Sequence, residues 1–111
     1  MPILDLARKF PRYREFNSAV PVYCLTPDMG GVIHRFFDTS PISPSGRYLA
    51  VTRFPCEDRS PRPGEAARVV VVDLETGTEI VTAETRGWDT QLGAQAQWGA
   101  SDDALFFNDI D

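Results

Sequence analysis

Residues 43–53 read SPSGRYLAVTR and align without gaps on residues 99–109, which read GASDDALFFND. Each copy is a small polar turn followed by an apolar strand, and the copies lie 56 residues apart. Self-similarity at a period of this kind is typical of proteins built from stacked copies of one structural unit. Between the copies, VVDLETGTE at residues 71–79 predicts a strand, a tight turn and a second strand.

From Gly31 onwards the sequence predicts an all-β fold, because segments rich in Val, Ile, Thr and aromatic residues alternate with Gly, Pro, Asp and Ser clusters. The run Val69–Val72 is apolar at four successive positions, so this strand needs cover on both faces of its sheet. The predicted strands are Val32–Phe37, Ser40–Ser43 (taken as innermost), Tyr48–Phe54, Arg68–Leu74, Glu79–Glu84, Ala94–Trp98 and Ala104–Asn108.

The first 30 residues predict an extension in front of this β-rich region. Ile3–Lys9 has the apolar spacing of a short helix, which must end at Phe10 because a residue before proline avoids the helical conformation. Extended, proline-punctuated chain follows, and its segment Val20–Leu25 can pair as a strand.

The composition excludes some classes of function. Sixteen acidic residues outnumber eleven basic ones, giving a net charge of −5, so a nucleic-acid partner is not expected. All the basic residues except Lys9 are arginines, whose planar guanidinium groups suit carboxylate, sulfate or phosphate, although ordinary surface ion pairs are the simpler interpretation. Cys24 and Cys56 have no CxxC spacing, and Asp102-Asp103 and Asn108–Asp111 lack a calcium-loop pattern. We therefore expect no metal site or cofactor in this chain.

No segment is apolar for long enough to span a membrane, and the N-terminus lacks the uninterrupted apolar stretch of a signal peptide. The sequence therefore predicts no membrane partner and a cytoplasmic location, or secretion if a leader has been removed.

The order S-P-x-G-R-Y-L-A-V, then V-V-D-L-E-T-G, then a polar turn with an aromatic residue resembles the blades of TolB-like and oligogalacturonate-lyase-like β-propellers. Longer stretches are similar to the propeller-fold polysaccharide lyases related to ulvan lyases. They are HRFFDTSPISPSGRY at residues 34–48, ETRGW at 84–88 and QLGA at 91–94. It covers about residues 22–111.

This resemblance implies about one and a half four-stranded blades of a larger, seven-bladed propeller. Residues 1–30 are then an N-terminal extension, 31–93 the first blade and 94–111 a truncated second blade. A blade buries both faces against its neighbours, so the remaining blades of the same polypeptide are expected partners, and a metal ion bound by them is compatible with the sequence. The fragment alone is expected to be inactive.

One rim of the propeller is expected to carry His34 together with three connecting segments: Phe54–Ala67, Arg86–Gly93 and Asn108–Asp111. There His34 is the candidate catalytic base, whereas Arg35, Arg86, Trp88, Gln91 and Asn108 are candidate substrate-binding residues. Each also has a structural interpretation: His34 as a capping histidine, Trp88 in blade packing, and the polar side chains as partners for one another.

The resemblance implies cleavage of acidic, uronate-containing poly- or oligosaccharides by β-elimination, which needs a base and a group that neutralises the carboxylate. The alternative is a non-catalytic TolB-like propeller that binds a protein or peptide. Whether the chain belongs to an enzyme is left open by the sequence.

Overall fold

The computed structural model describes residues 5–14 and 19–110 of the chain. These residues form antiparallel sheets and almost no helix, as the sequence predicts. The strands are β1 (Arg12–Tyr13), β2 (Val22–Tyr23), β3 (Val32–Ile33), β4 (Tyr48–Arg53), β5 (Ala67–Asp73), β6 (Glu79–Thr85), β7 (Gln97–Trp98) and β8 (Leu105–Phe106).

Strands β3, β4, β5 and β6 form one sheet in the order of the sequence. All neighbours are antiparallel, and β4 pairs with β5 along its whole length, from Tyr48 opposite Asp73 to Arg53 opposite Arg68. A bulge between Val69 and Val70 shifts the pairing of β5 with β6. Each connection therefore joins adjacent strands, and the sheet is an antiparallel meander.

The four-stranded sheet is covered on both faces, as the apolar run in β5 requires. On one face, Val70 and Val72 pack in a cluster with Phe10 and with apolar residues of the N-terminal segment. On the other face, Val69 packs with Ala94 and its neighbours, which precede β7. The prediction of cover on both sides is confirmed, and residues before and after the sheet supply it.

The internal repeat reappears in the backbone pairing. Ile42 pairs with Leu49, and Trp98, 56 positions later, pairs with Leu105. The turn between each pair closes in the same way: the Ser43 N–H donates to the Tyr48 carbonyl at 2.7 Å, and the corresponding donor and acceptor, Gly99 and Ala104, are also 2.7 Å apart. The aligned sequences thus form equivalent hairpins, the second of which contains β7 and β8.

Several predicted elements are shorter than expected. Of the strand predicted over Val32–Phe37 only Val32–Ile33 forms, and Ser40–Ser43 contributes a single bridge at Ile42. Ser40–Ser43 is therefore not a separate innermost strand: β3 and Ile42 both pair with β4, and residues 34–41 leave the sheet between them. The strands predicted over Ala94–Trp98, Ala104–Asn108 and Val20–Leu25 shorten to β7, β8 and β2.

The N-terminal helix is also reduced. Only Leu6–Arg8 forms a 3₁₀ turn, while residues 1–4 lie outside the described residues. Asp5 makes no side-chain hydrogen bond to the turn, so a helical N-terminus is not capped there. Among the described residues, no helical segment has the length and apolar character needed to cross a bilayer. The division of the chain at residues 30 and 93 stays a prediction.

Asp73 fixes the turn that connects β5 to β6. Its carboxylate accepts hydrogen bonds from Arg47 Nε at 3.2 Å and Nη2 at 2.9 Å, and from the backbone N–H groups of Glu75 at 3.0 Å and Thr76 at 3.4 Å. The side chain is buried, and its hydrogen bond with Arg47, helped by these N–H groups, lowers the pKa of the carboxyl. Gly77, at a φ of 79°, closes the turn in the left-handed region.

We predict that Asp73→Ala lowers the free energy of unfolding by roughly 1–3 kcal/mol, since the half-buried Arg47 guanidinium and two turn N–H groups lose their shared acceptor. Asp73→Asn costs less, because an amide oxygen can still accept from Glu75 and Thr76. The lowered pKa means that the wild-type contribution is present at neutral pH and is lost as the pH falls through the folded-state pKa.

Urea titrations between pH 2 and pH 7 measure this effect, with the exposed Asp58→Asn as a control for loss of one negative charge. Both Asp73 variants should lose part of the acid dependence that wild type and Asp58→Asn share. An unchanged acid dependence in Asp73→Asn would contradict the assignment.

Candidate binding site

The connection from β6 to β7 begins with a compact turn built on Asp89. Its carboxylate oxygen Oδ1 accepts the backbone N–H groups of Gln91 at 2.8 Å and Leu92 at 2.7 Å. The backbones of Asp89 and Gly93 also exchange two hydrogen bonds, at 3.1 and 3.0 Å. An aspartate that satisfies the following N–H groups holds a loop in one conformation, so residues 89–93 form a fixed structure.

Gly93 allows this turn to lie directly on the four-stranded sheet. Its φ of 60° is in the left-handed region, and a Cβ atom there would come within 2.6 Å of Thr52 Oγ1 and 3.2 Å of Ile33 Cγ2. The same Thr52 hydroxyl accepts the Ala94 N–H at 3.0 Å. Only glycine fits this position, and the connection is thereby fastened to β3 and β4.

The end of β6 is tied to the segment that follows β8. The buried Thr85 hydroxyl lies 2.6 Å from the Asn108 carbonyl oxygen and 2.9 Å from Asp109 Oδ1, and it accepts the Gly87 N–H at 3.0 Å. Asp109 Oδ1 also accepts the Arg86 N–H at 3.2 Å. The Thr85 hydroxyl and the backbone N–H groups of Arg86 and Ile110 lower the pKa of the Asp109 carboxyl, so it is ionised at neutral pH.

The long loop between β4 and β5 is fastened to the same region. Trp88 Nε1 donates to the Glu65 carbonyl at 2.8 Å, and its ring lies against Phe54 with centroids 5.3 Å apart. Arg86 Nε donates to the Gly64 carbonyl at 3.1 Å. Hydrogen bonds from Arg59 hold the Glu65 side chain and lower its pKa to about 2. Trp88 therefore has a structural role whatever else it contacts.

An open cavity of about 350 Å³ lies between the connection that follows β6 and the segment that follows β8. Three predicted residues, Arg86, Trp88 and Asn108, line it together. Its remaining lining includes Asp89, Gln95 and Asp109. One guanidinium, two carboxylates, two amides and an indole ring make a surface that can hydrogen-bond several hydroxyl groups and contact an apolar ring face.

The other predicted residues do not line this cavity. Gln91 is exposed within the Asp89 turn. His34 is exposed, directly follows β3, and makes no hydrogen bond or ion pair with any residue the structure describes. Arg35 is half-buried, and its Nη1 donates to Gln97 Oε1 on β7 at 2.8 Å. The structure thus brings three of the six candidates into one cavity and leaves the other three outside it.

Three polar residues of the cavity, Asp89, Gln95 and Asp109, were not among the site residues predicted from the sequence. Asp89 opens a turn, and the sequence D-T-Q-L-G carries that signal. Gln95 adopts a φ of 54°, the only positive value among the described non-glycine residues. No sequence pattern indicates this conformation, in which the Gln95 N–H donates to the Leu92 carbonyl at 3.1 Å.

A larger open cavity lies elsewhere, with a volume of about 830 Å³, between strands β5 and β6 and the second hairpin. Apolar side chains dominate its wall: Val71, Ile80, Trp98, Leu105 and Phe107. Within residues 5–14 and 19–110, no three His, Cys, Asp or Glu side chains are grouped so that they could hold a metal ion.

No family model matches the sequence, and neither the curated proteins nor the solved structures include a significant match.

We predict that Thr85→Val loosens the connection between Arg86 and Asn108, because the variant keeps the shape of the side chain and removes its hydroxyl. The Gly87 amide should then exchange with solvent at least about fivefold faster, as expected for the loss of one hydrogen bond of net strength near 1 kcal/mol.

Hydrogen exchange followed by NMR measures this rate. Thr82→Val on the same strand is the matched control, because its hydroxyl donates to the Val69 carbonyl, at 2.9 Å, and not to the Gly87 region. Equal exchange of the Gly87 amide in the two variants would show that the Thr85 hydroxyl does not hold this loop.

Proposed function

We propose that this chain forms the first blade and the first half of the second blade of a β-propeller. The observation that supports this is the equivalence of the two hairpins, which share strand register and turn closure at a spacing of 56 residues. In the first unit, β4 pairs with β5. The equivalent strand β8 has only β7 as a partner among the described residues, and the large apolar cavity borders it.

Strands from further blades would fill that cavity and pair with β8. They would bury Ile80, of which 46% is exposed, and Phe106, of which 60% is exposed. Repeat proteins bury such surfaces by stacking neighbouring units. Remaining blades of the same polypeptide are therefore the partners we propose for this chain.

The function that we propose for the whole propeller is that of a polysaccharide-lyase-like protein, which cleaves acidic poly- or oligosaccharides by β-elimination. The cavity lined by Arg86, Trp88 and Asn108 is the observation that carries this proposal, because planar polar groups around an aromatic ring suit sugar hydroxyls and ring faces. Its two carboxylates favour hydroxyl groups over a further anion. The uronate carboxylate would face Arg35, whose guanidinium Gln97 holds in a fixed orientation.

In this reaction a base removes the proton from the carbon next to the uronate carboxylate, a cation neutralises the charge that develops, and the glycosidic oxygen leaves. His34 is the base that we propose, and Arg35 the neutralising group. Both residues directly follow β3, and Arg35 contacts Gln97 on β7.

A non-catalytic propeller that binds a protein or peptide is the second candidate. The observation that favours it is the environment of His34, since catalytic histidines are usually oriented by a hydrogen bond and none of the described residues supplies one. The contacts of Trp88 with Phe54 and Glu65 also favour it, because they give the indole ring a structural role without a sugar.

The two functions are separated by following ultraviolet absorbance of unsaturated uronate while the full-length protein is incubated with a panel of acidic polysaccharides and oligosaccharides. The lyase proposal predicts rising absorbance, which His34→Ala lowers about a hundredfold or more. Arg86→Ala should raise KM roughly tenfold or more, because charge-assisted hydrogen bonds to the sugar are lost.

Arg68→Ala is the control, because Arg68 is an exposed arginine on β5 paired loosely with Glu84 at 3.5 Å. It should leave both parameters unchanged. No absorbance change with folded protein on any substrate would overturn the lyase proposal and favour the binding propeller. A rise that His34→Ala leaves intact would remove His34 from the reaction.

A further inference from the structure

Residues 34–41 are an excursion that the second hairpin does not share. In the first hairpin, eight residues separate Ile33, opposite Thr52, from Ile42, opposite Leu49. At the equivalent place three residues, 95–97, separate Ala94 from Trp98. The two hairpins otherwise have the same register, so this insertion is specific to the edge of the first unit.

The excursion is held at both ends by the second hairpin. Arg35 donates to the Gln97 side chain at 2.8 Å, and Trp98 Nε1 donates to the Pro41 carbonyl at 2.9 Å. Inside it, the Thr39 N–H donates to the Phe36 carbonyl at 3.2 Å, which closes a turn. The exposed side chains of residues 34–41 are therefore held in a fixed position.

It presents two phenylalanine rings. Phe37 is 86% exposed, the highest exposure among the described large apolar residues, and Phe36 is 38% exposed. Their ring centroids lie 4.5 Å apart with the planes tilted by 51°. An exposed aromatic pair at the tip of a braced turn is costly in water, so it indicates a ligand or partner that covers it.

We propose that Phe36 and Phe37 form a platform on which one pyranose ring of a bound oligosaccharide stacks. The proposal rests on the carbohydrate function above and adds a second contact region to it. In the chain, His34 and Arg35 directly precede the two rings and Asp38 directly follows them, so polar residues flank the pair on both sides. A purely apolar partner would strip these groups of water, whereas a sugar offers C–H groups to the rings and hydroxyls to their polar neighbours.

The platform differs from the cavity in what it recognises. Stacking depends on the C–H face of the ring and not on a carboxylate, so neutral and acidic sugars with the same ring geometry should both use it. In the proposed arrangement the platform positions a sugar ring, and Arg35 beside it contacts the acidic group.

Calorimetric titration of the full-length protein with a galacturonate trisaccharide and with a neutral galactose trisaccharide tests the platform. Phe37→Ala should weaken both ligands about three- to tenfold, the loss expected for one aromatic contact. Phe37→Leu, which keeps apolar area without a ring face, should lose nearly as much, and Phe37→Trp should retain the affinity. Val20→Ala, at an apolar residue of the N-terminal segment that is 70% exposed, is the control and should bind as wild type.

Melting temperatures show whether each variant is folded, and light scattering shows whether Phe37→Ala changes the oligomeric state. Wild-type affinity in Phe37→Ala, full affinity in Phe37→Leu, or no binding of either trisaccharide would overturn the platform. A change of oligomeric state without a change of saccharide affinity would assign the rings to a second copy of the chain. Loss of affinity in Arg86→Ala but not in Phe37→Ala would reject the platform alone, whereas loss in Phe37→Ala without elimination activity would reject the lyase alone.

Discussion

The structure depends on strand β5, because its valines are apolar on both faces and neither face can be left in water. Val69 and Val70 are almost completely buried, on opposite faces of one strand. A hairpin or a single sheet layer would leave one of these faces exposed. The chain resolves this by placing its N-terminal segment on one side and its second hairpin on the other, so the sheet becomes the middle of three layers.

The candidate site follows from this layering. To cover the face that carries Val69, the chain must turn sharply after β6 and lie back on the sheet, which Gly93 permits by its close approach to Thr52. That turn brings the Arg86–Gly93 connection against the loop before β5 and the segment after β8. The cavity lined by Arg86, Trp88 and Asn108 is the space left between this connection and the segment after β8.

The sequence predicts the parts of the fold that local pattern determines. The all-β class, the long strands β4, β5 and β6 and the tight turn at Gly77 follow from β-branched runs and from turn residues, and all are present. The repeat correctly predicts the second hairpin. What local pattern could not predict is set by contacts between distant residues: the excursion 34–41 is stabilised by Gln97 and Trp98, some sixty positions away.

The candidate site was predictable to a similar degree. Arg86, Trp88 and Asn108 were proposed because insertions in repeat units collect on one face, and the structure places them around one cavity. His34 was proposed for its chemistry and for its expected place on the same rim, and the described residues give its side chain no orienting partner. Asp109 was not proposed as a site residue, because its position depends on a contact with the distant Thr85, whose hydroxyl lies close to both Asp109 Oδ1 and the Asn108 carbonyl.

Burial on both faces of β5 is the central claim, and comparison of Val69→Thr, Val70→Thr and Val81→Thr tests it directly. The substitution keeps the side-chain shape and adds one hydroxyl, and Val81, paired opposite Val70, is 52% exposed. Urea unfolding should give a loss of roughly 1–3 kcal/mol for Val69→Thr and for Val70→Thr, and a change within about 0.5 kcal/mol for Val81→Thr. If Val69→Thr is as harmless as Val81→Thr, the second hairpin does not cover the sheet and the account is wrong.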